Sequence, residues 1–166
     1  MEATKALSAR PELALAYEAF RTAVWQTPGL TLRERGLIHL LVADRVRSTY
    51  CTLMYASALE RDLGGPEGIR AFLRDHHHHA RLSGRDKAIL DYALAAAVGH
   101  PRREHIMHLR NAGLDDAAIL DVAVTAAQRL LGSRLYEALG VEADPFFLEQ
   151  TDLMEVVASG DAAAEG

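Results

Sequence analysis

Cys51, the only cysteine of the 166-residue chain, is the residue whose type and position best suit chemistry. Ser48 can cap the unpaired backbone amides of a helix, which places Cys51 three residues inside that helix. A thiol in the first turn feels the positive end of the helix dipole and the unpaired N–H groups, and both favour the thiolate. Because the thiolate is the species that peroxides oxidise, this position predicts a reactive cysteine. The alternative is a small, inert, buried side chain.

Histidines are the second group of residues that could do chemistry, and four of them are consecutive, at positions 76–79. Histidine-rich tracts bind zinc or nickel, but four consecutive residues of a helix cannot all face one ion. We therefore expect this tract, His76 to His79, to be a solvated loop with weak incidental affinity. His105 and His108 are neighbours on one helix face, but no third zinc ligand accompanies them. The sequence thus predicts no bound metal ion and no cofactor.

The elements that position these residues are all predicted to be helices. Apolar residues recur at helical spacing, and caps, glycines and prolines separate the segments. The predicted helices cover residues 11–25, 31–47, 48–62, 66–74, 83–98, 102–112, 115–139 and a last amphipathic piece from 145 onward. Alternating β-branched runs, which are typical of strands, are missing. We expect an all-α protein with one domain over residues 1–157 and a disordered tail over 158–166.

Two segments of nine residues, 30–38 and 82–90, match in residue class at every position but the third. Each begins with leucine, and a hydroxyl residue and an acid three positions later then form a capping box: Thr31 with Glu34, and Ser83 with Asp86. We interpret this as an internal repeat of two helical units. Only the first unit leads to a cysteine, because residues 100–103 occupy the corresponding place in the second.

Composition excludes several classes of protein. The net charge is −5 and no block of lysine or arginine occurs, which argues against nucleic acid and anionic membranes as partners. No apolar run approaches the ~18 residues of a membrane span, and the first residues do not read as a signal peptide. A single cysteine cannot form an intrachain disulfide and fits a reducing, cytoplasmic location. Arg129 and Arg134 lie in an otherwise apolar helix, where an arginine either pairs with an acid at an interface or lines a pocket.

Several motifs together resemble the AhpD-like alkylhydroperoxidase and carboxymuconolactone decarboxylase family, in particular its peroxidase-related branch. The resemblance covers roughly residues 13–145. Its motifs are Leu30-Thr31-x-Arg33-Glu34, Cys51 and Gly64 in the first part, and Leu82-Ser83-x-Arg85 with residues 109–116 and 130–142 in the second. It implies an AhpD-like helical bundle that assembles as a homo-oligomer, a trimer or a hexamer. The apolar faces of the first and last helices, which carry Phe20 and Phe146, exceed the needs of one small core and favour assembly.

In that family, a glutamate, a CxxC pair and a histidine one turn beyond form a thiol site. The peroxidatic cysteine falls on Cys51 and the resolving cysteine on Ser48. The histidine falls on Tyr55 and the glutamate on Gly36. Ser48 cannot form the intramolecular disulfide of a two-cysteine cycle. Tyr55, with an ordinary pKa near ~10, is a poor base but can donate a hydrogen bond to a thiolate or a peroxide oxygen.

His39 is a candidate to replace the missing base, because it lies one turn beyond Gly36 on the same helix face. A neutral imidazole would act as a general base, whereas an imidazolium would hold the thiolate. The alternative is a histidine with a purely structural role.

The resemblance and the residues together predict a single-cysteine peroxidase. Cys51 would reduce a hydroperoxide substrate, and an external thiol reductant would restore the sulfenic acid to the thiol. Such an antioxidant activity would be of the peroxiredoxin type. The alternative from a different class is a non-catalytic relative that serves as a helical oligomer or a small-ligand-binding protein.

Overall fold

The computed structural model of the chain describes residues 7–162, and these residues form nine α-helices, one 3-10 turn and no strand. The all-α prediction is confirmed. The helices are α1 (Pro11–Gln26), α2 (Leu32–Arg45), α3 (Thr49–Leu63), α4 (Pro66–Arg74), α5 (Gly84–Val98), α6 (Arg103–Asn111), α7 (Asp116–Ala138), α8 (Pro145–Leu148) and α9 (Thr151–Ala162), and the 3-10 turn is His76–His78. No helix of the described chain is both long enough and apolar enough to cross a membrane.

The central helix is α2, in which every residue from 34 to 43 is buried. It packs against α3, α5 and α7, so three neighbours cover its circumference. The sequence explains this position, since Leu37, Ile38, Leu40, Leu41 and Val42 place apolar side chains over more than half of the helix circumference. His39, which we predicted for chemistry, therefore lies on a helix that is buried along most of its length.

The two predicted capping boxes are confirmed by the starts of α2 and α5, and the internal repeat stays a prediction. Both predicted capping boxes are present, because the Thr31 and Ser83 hydroxyls accept from the backbone amides of Glu34 and Asp86, whose carboxylates accept in return. An arginine in the first turn of each of these helices then forms an ion pair with an acid in the first turn of the other. Arg33 Nη1 lies 3.0 Å from Asp86 Oδ1, and Arg85 Nε lies 2.7 Å from Glu34 Oε1. Each unit's arginine thus pairs with the cap acid of the other unit.

The end of the chain differs from our expectation. Helix α9 continues through Ala162, so residues 158–162, which we expected to be disordered, are helical, and residues 163–166 lie outside the described part. The physical reason lies earlier in the helix, where Leu153, Val156 and Val157 are buried against the main core and anchor it. The boundary that we predicted at residue 157 falls inside this helix.

Candidate functional site

Cys51 occupies the first turn of α3, as predicted. A tight turn after α2 sets the direction in which α3 begins. Arg47, in this turn, has a left-handed backbone with φ 58°, an uncommon conformation for a non-glycine residue. Cys51 is completely buried and packs with Ala43, Tyr50 and Tyr136. The thiol therefore lies inside the protein, at the point where α2 ends and α3 begins.

Ser48 stands at the N-cap position of α3, but its hydroxyl makes no capping hydrogen bond. The expectation that it caps the helix was wrong at this point. At the described α-helix N-caps whose side chains do form the bond, Thr31, Ser83 and Asp115, ψ is 161°, 166° and 177°, whereas at Ser48 ψ is 91°. The Ser48 hydroxyl is instead buried without a hydrogen-bond partner, three residues before Cys51.

A cavity of about 490 Å³ lies between α1, α3 and α7. Its size is that of a site for a small organic molecule. Cys51 does not line it, but its neighbours on α3 do, so the thiol lies behind the cavity wall. The lining residues are Tyr17, Glu18, Arg21 and Trp25 from α1, Tyr50, Met54 and Tyr55 from α3, and Gln128, Arg129 and Tyr136 from α7.

Arg129 places a buried cation in this wall. Its side chain is 3% exposed, its Nη1 donates to the Tyr55 hydroxyl at 3.2 Å, and its Nε has no partner. Among the described residues no carboxylate forms an ion pair with it, which is unusual for a buried arginine. Burial opposes the charge, but the neighbouring Cys51, Tyr55 and other acidic groups raise the pKa of Arg129 above its ordinary value. Of the two roles open to an apolar-helix arginine, Arg129 takes the pocket-lining one.

Gly132 provides the space for this guanidinium. A Cβ at position 132 would collide with Arg129 Nη2 and with the Tyr17 hydroxyl. Tyr17 in turn accepts from Gln128 Nε2 at 3.1 Å. Gly132 is therefore needed to leave room for the guanidinium group in the cavity wall, and not to allow a turn of the backbone.

His39 and Tyr55 meet in a stack of three rings. The His39 ring lies 5.1 Å from that of Trp25 and 4.8 Å from that of Tyr55, with interplanar angles of 12° and 9°. His39 is completely buried, and burial, together with the positive charges of nearby arginines, holds its pKa well below 6.5. The imidazole is therefore neutral at neutral pH, and the alternative in which an imidazolium holds the thiolate is wrong. A general-base role for His39 stays a prediction.

Tyr55 is a neutral hydrogen-bond donor in this setting. Burial raises its pKa above 10, although Arg129 partly opposes this. Because its oxygen accepts from Arg129, its own proton is available to a group in the cavity. The structure thus places Tyr55 and Arg129 together, and it places Tyr55 on the cavity surface one helical turn beyond the buried thiol.

Buried polar atoms without a hydrogen-bond partner concentrate around the cavity. Folded proteins leave few such atoms, and those that remain often belong to functional sites. In the part of the chain that the structure describes, they belong to His39, Ser48, Tyr50, Gln128, Arg129 and Ser133. Tyr50, Gln128 and Arg129 line the cavity. His39 stacks on Trp25 and Tyr55, which also line it, and Ser133 lies one turn after Arg129. The unpaired groups of Tyr50, Gln128 and Arg129, which line the cavity, can hydrogen-bond a molecule that enters it.

Gly36, the position of the family's glutamate, is filled by packing. It is buried, and a Cβ there would lie 3.2 Å from Leu59 Cδ2. A glutamate at this position would have to displace Leu59. Glu34, the nearest acid along α2, is engaged in the capping box and the ion pair with Arg85.

The histidine tract is less exposed than we expected. His76 and His79 are buried and pack against Phe72, whereas His77 and His78 are exposed. The prediction of a solvated loop was wrong for the first and last histidine, because a 3-10 turn directs them towards the apolar core.

No protein-family model and no curated protein sequence matches the chain. Several solved structures have a similar fold. One is an uncharacterized peroxidase-related protein from Ralstonia eutropha JMP134, described as an alkylhydroperoxidase AhpD core, with a TM-score of 0.75, 24% identity, and coverage of 85% of this chain and 75% of its own. A peroxidase-related protein from Silicibacter sp. TM1040 gives a TM-score of 0.76 at 21% identity, with coverage of 87% and 76%.

A third similar structure is the debrominase Bmp8 in complex with 2,3,4-tribromopyrrole, with a TM-score of 0.76, 16% identity, and coverage of 90% of this chain and 79% of that one. At these identities the likeness concerns the backbone. The chain therefore has the AhpD-like helical fold that its motifs predicted.

Proposed function

We propose that this protein reduces hydroperoxides through the thiolate of Cys51 and that an external thiol restores it. The observation that carries the proposal is the buried cation of Arg129, which has no ion-pair partner among the described residues and interacts electrostatically with Cys51 in the first turn of α3. A cation and a helix dipole both favour a thiolate over a thiol. The peroxidase-related proteins of similar fold support this reading.

The reaction needs two steps. In the first, the Cys51 thiolate attacks the outer oxygen of the hydroperoxide, the S–O bond forms, the O–O bond breaks, and the leaving alkoxide takes a proton to become an alcohol. Tyr55 can donate a hydrogen bond to the leaving oxygen. In the second, an external thiol condenses with the sulfenic acid to release water and form a mixed disulfide, which a further thiol reduces. Ser48 cannot replace that external thiol.

Access to Cys51 requires a movement of the cavity wall, because the thiol is buried behind Tyr50, Met54 and Tyr55. Met54 is the side chain best suited to move. It is only half-buried, and its unbranched thioether chain changes rotamer easily. We therefore expect Cys51 to react more slowly than an exposed thiol but without global unfolding.

The decisive experiment measures the pH dependence of Cys51 alkylation in the native protein, followed by stoichiometric peroxide and intact-mass analysis. We expect alkylation at neutral pH and a +16 adduct that a sulfenic-acid trap captures. Cys51→Ser should abolish turnover. Arg129→Gln should slow alkylation at neutral pH by about tenfold, the effect of about 1.4 kcal/mol of lost charge stabilisation. The matched control is Arg134→Gln, an exposed arginine on the same helix, which should change nothing.

A second candidate is the binding of an aromatic small molecule without turnover. It is favoured by the position of Cys51 off the cavity surface and by the rings of Tyr17, Trp25, Tyr50 and Tyr136 on it. A structural neighbour, the debrominase, holds an aromatic pyrrole. Trp25 is the only tryptophan, so quenching of its fluorescence reports ligand entry directly. Ligand binding together with a thiol that reacts only after unfolding would favour this candidate over the peroxidase.

We further propose that the chain assembles as a homo-oligomer, a trimer or a hexamer. Leu13, Leu15 and Phe20 on α1 and Phe146 on α8 are large apolar side chains exposed to solvent, which supports self-association. Light scattering coupled to gel filtration tests this, and a monomer at micromolar concentration would contradict it.

A further inference from the structure

The structure brings three metal-ligating side chains together on the second unit, away from the cavity. His76 Nε2 lies 2.9 Å from Asp91 Oδ1, His77 Nε2 lies 3.1 Å from the same oxygen, and the three ligand atoms lie within 4.8 Å of one another. Four histidines in a row cannot face one ion, but two of them and an aspartate from the next helix can. The sequence pattern did not reveal this arrangement because Asp91 lies fifteen residues from His76.

The geometry fits a zinc-type ion. With bonds of about 2.0–2.1 Å, the ligand atoms of a tetrahedral zinc site lie about 3.3 Å apart. Both nitrogen–oxygen distances are within a few tenths of an ångström of that value. The remaining distance between ligand atoms, at most 4.8 Å, closes when His77, which is more than half exposed, turns its ring. Two imidazoles and one carboxylate leave the fourth position to water, as in open zinc sites.

The turn that presents the histidines is held from outside the cluster. Asp75 Oδ1 accepts from the backbone amide of His77 at 2.9 Å, and its Oδ2 lies 2.6 Å from His78 Nδ1. Phe72 packs against the buried His76 ring. His76 is therefore fixed, and His78 is engaged elsewhere and serves as an internal control.

The repeat relates this cluster to the ring stack of the first unit. The two units are offset by 52 positions (residues 30–38 against 82–90), so Asp91 corresponds to His39 and His77 to Trp25. Each pair is in contact, by ring stacking in the first unit and by a 3.1 Å polar contact in the second. Positions that correspond under this offset thus carry aromatic rings in one unit and metal donors in the other, although Trp25 lies in α1 and His77 in the 3-10 turn.

We propose that His76, His77 and Asp91 bind one divalent transition-metal ion of the zinc type, in a site that shares no residue with the Cys51 cavity. An ion there links the 3-10 turn His76–His78 to α5, the first α-helix of the second unit. The site is independent of the peroxidase proposal.

The test is titration of the metal-free protein with Co²⁺, followed by displacement with Zn²⁺. We expect one ion per chain, with the intense visible absorption of a tetrahedral Co²⁺ site, and a rise in Tm with Zn²⁺. Asp91→Asn should weaken binding at least tenfold and abolish the Tm shift. His78→Gln removes a histidine from the same tract but no ligand, and it should bind as the wild type does.

Two results would overturn the proposal. Equal weakening by His78→Gln and Asp91→Asn, or undiminished binding by Asp91→Asn, would mean that the histidine tract binds ions incidentally. An absence of Co²⁺ binding by the wild type would mean that Asp91 only accepts hydrogen bonds from the two imidazoles. Far-UV circular dichroism of Asp91→Asn verifies folding, which we expect to be intact because Asp91 is partly exposed and belongs to no cap.

Discussion

His39 offers a sharp test of the site, because a completely buried, neutral imidazole must make stability depend on pH. In the native protein its pKa lies well below 6.5, chiefly through burial and then through the charges of Arg129, Arg35 and Arg21. In the unfolded chain it returns to about 6.5. Below that pH the unfolded state binds a proton that the native state does not, so the free energy of unfolding falls as the pH falls.

The expected magnitude follows from this single proton. At pH 7.5 protonation of the unfolded chain at His39 contributes less than about 0.1 kcal/mol, and at pH 5.0 it contributes about 2 kcal/mol, as long as the native imidazole stays neutral. The contribution of neutral His39 to stability is therefore complete above about pH 7 and is lost with a slope approaching about 1.4 kcal/mol per pH unit below 6.

The assay is urea unfolding of the wild type and of His39→Gln at pH 7.5 and pH 5.0. The substitution changes the stability at both pH values, but the informative quantity is the difference between them, which should be about 2 kcal/mol smaller in His39→Gln. His100→Gln removes an exposed imidazole and should leave the difference unchanged. If wild type and His39→Gln lose the same free energy between the two pH values, His39 is charged or hydrated in the native protein, and the reasoning fails.

Three further substitutions test the scaffold around the site. Arg85→Gln leaves a buried carboxylate without its ion pair and should lower the free energy of unfolding by about 2 kcal/mol, whereas Arg21→Gln breaks an exposed pair and should cost less than about 0.5 kcal/mol. Ser48→Ala removes an unpaired hydroxyl and should change stability by less than about 0.5 kcal/mol, whereas Thr31→Ala removes a true cap and should cost about 1 kcal/mol. Gly132→Ala overpacks the cavity wall and should cost about 1–3 kcal/mol and slow thiol alkylation.

Denaturant unfolding measures each of these free energies, and alkylation at neutral pH measures the thiol. A loss of about 1 kcal/mol in Ser48→Ala would show that its hydroxyl does cap α3 in solution. Equal losses in Arg85→Gln and Arg21→Gln would refute a special role of the exchanged pairs. Unchanged alkylation in Gly132→Ala would separate the position of Arg129 from thiol reactivity.

Local features of this fold could be predicted from the sequence because they depend on neighbours along the chain. The capping boxes at Thr31 and Ser83 need only residues three positions apart, and the glycines after α3 and α7 end those helices in left-handed conformations, as expected. The all-α fold also followed from such local signals. The position of Cys51 in the first turn of α3 is another example.

Features that depend on contacts between distant segments could not be predicted. Trp25, His39 and Tyr55 come from three helices, and nothing in their spacing indicates that their rings stack. Serine is a residue type that favours an N-cap, but Ser48 follows the turn after α2 with a ψ of 91°, and its hydroxyl makes no capping hydrogen bond. Arg129 showed a partial signal, a cation in an apolar helix, and only the tertiary structure shows that no carboxylate of the described residues forms an ion pair with it.

The two ion pairs between the first turns of α2 and α5 also determine how these helix starts can unfold locally. Fraying the first turn of α2 would separate Glu34 from Arg85 and Arg33 from Asp86 at once, because both partners of each bond lie in first turns. The start of one helix therefore cannot unfold locally without breaking both ion pairs of the other. The two helix starts should form a single cooperative unit whose backbone amides exchange hydrogen with solvent at one common free energy.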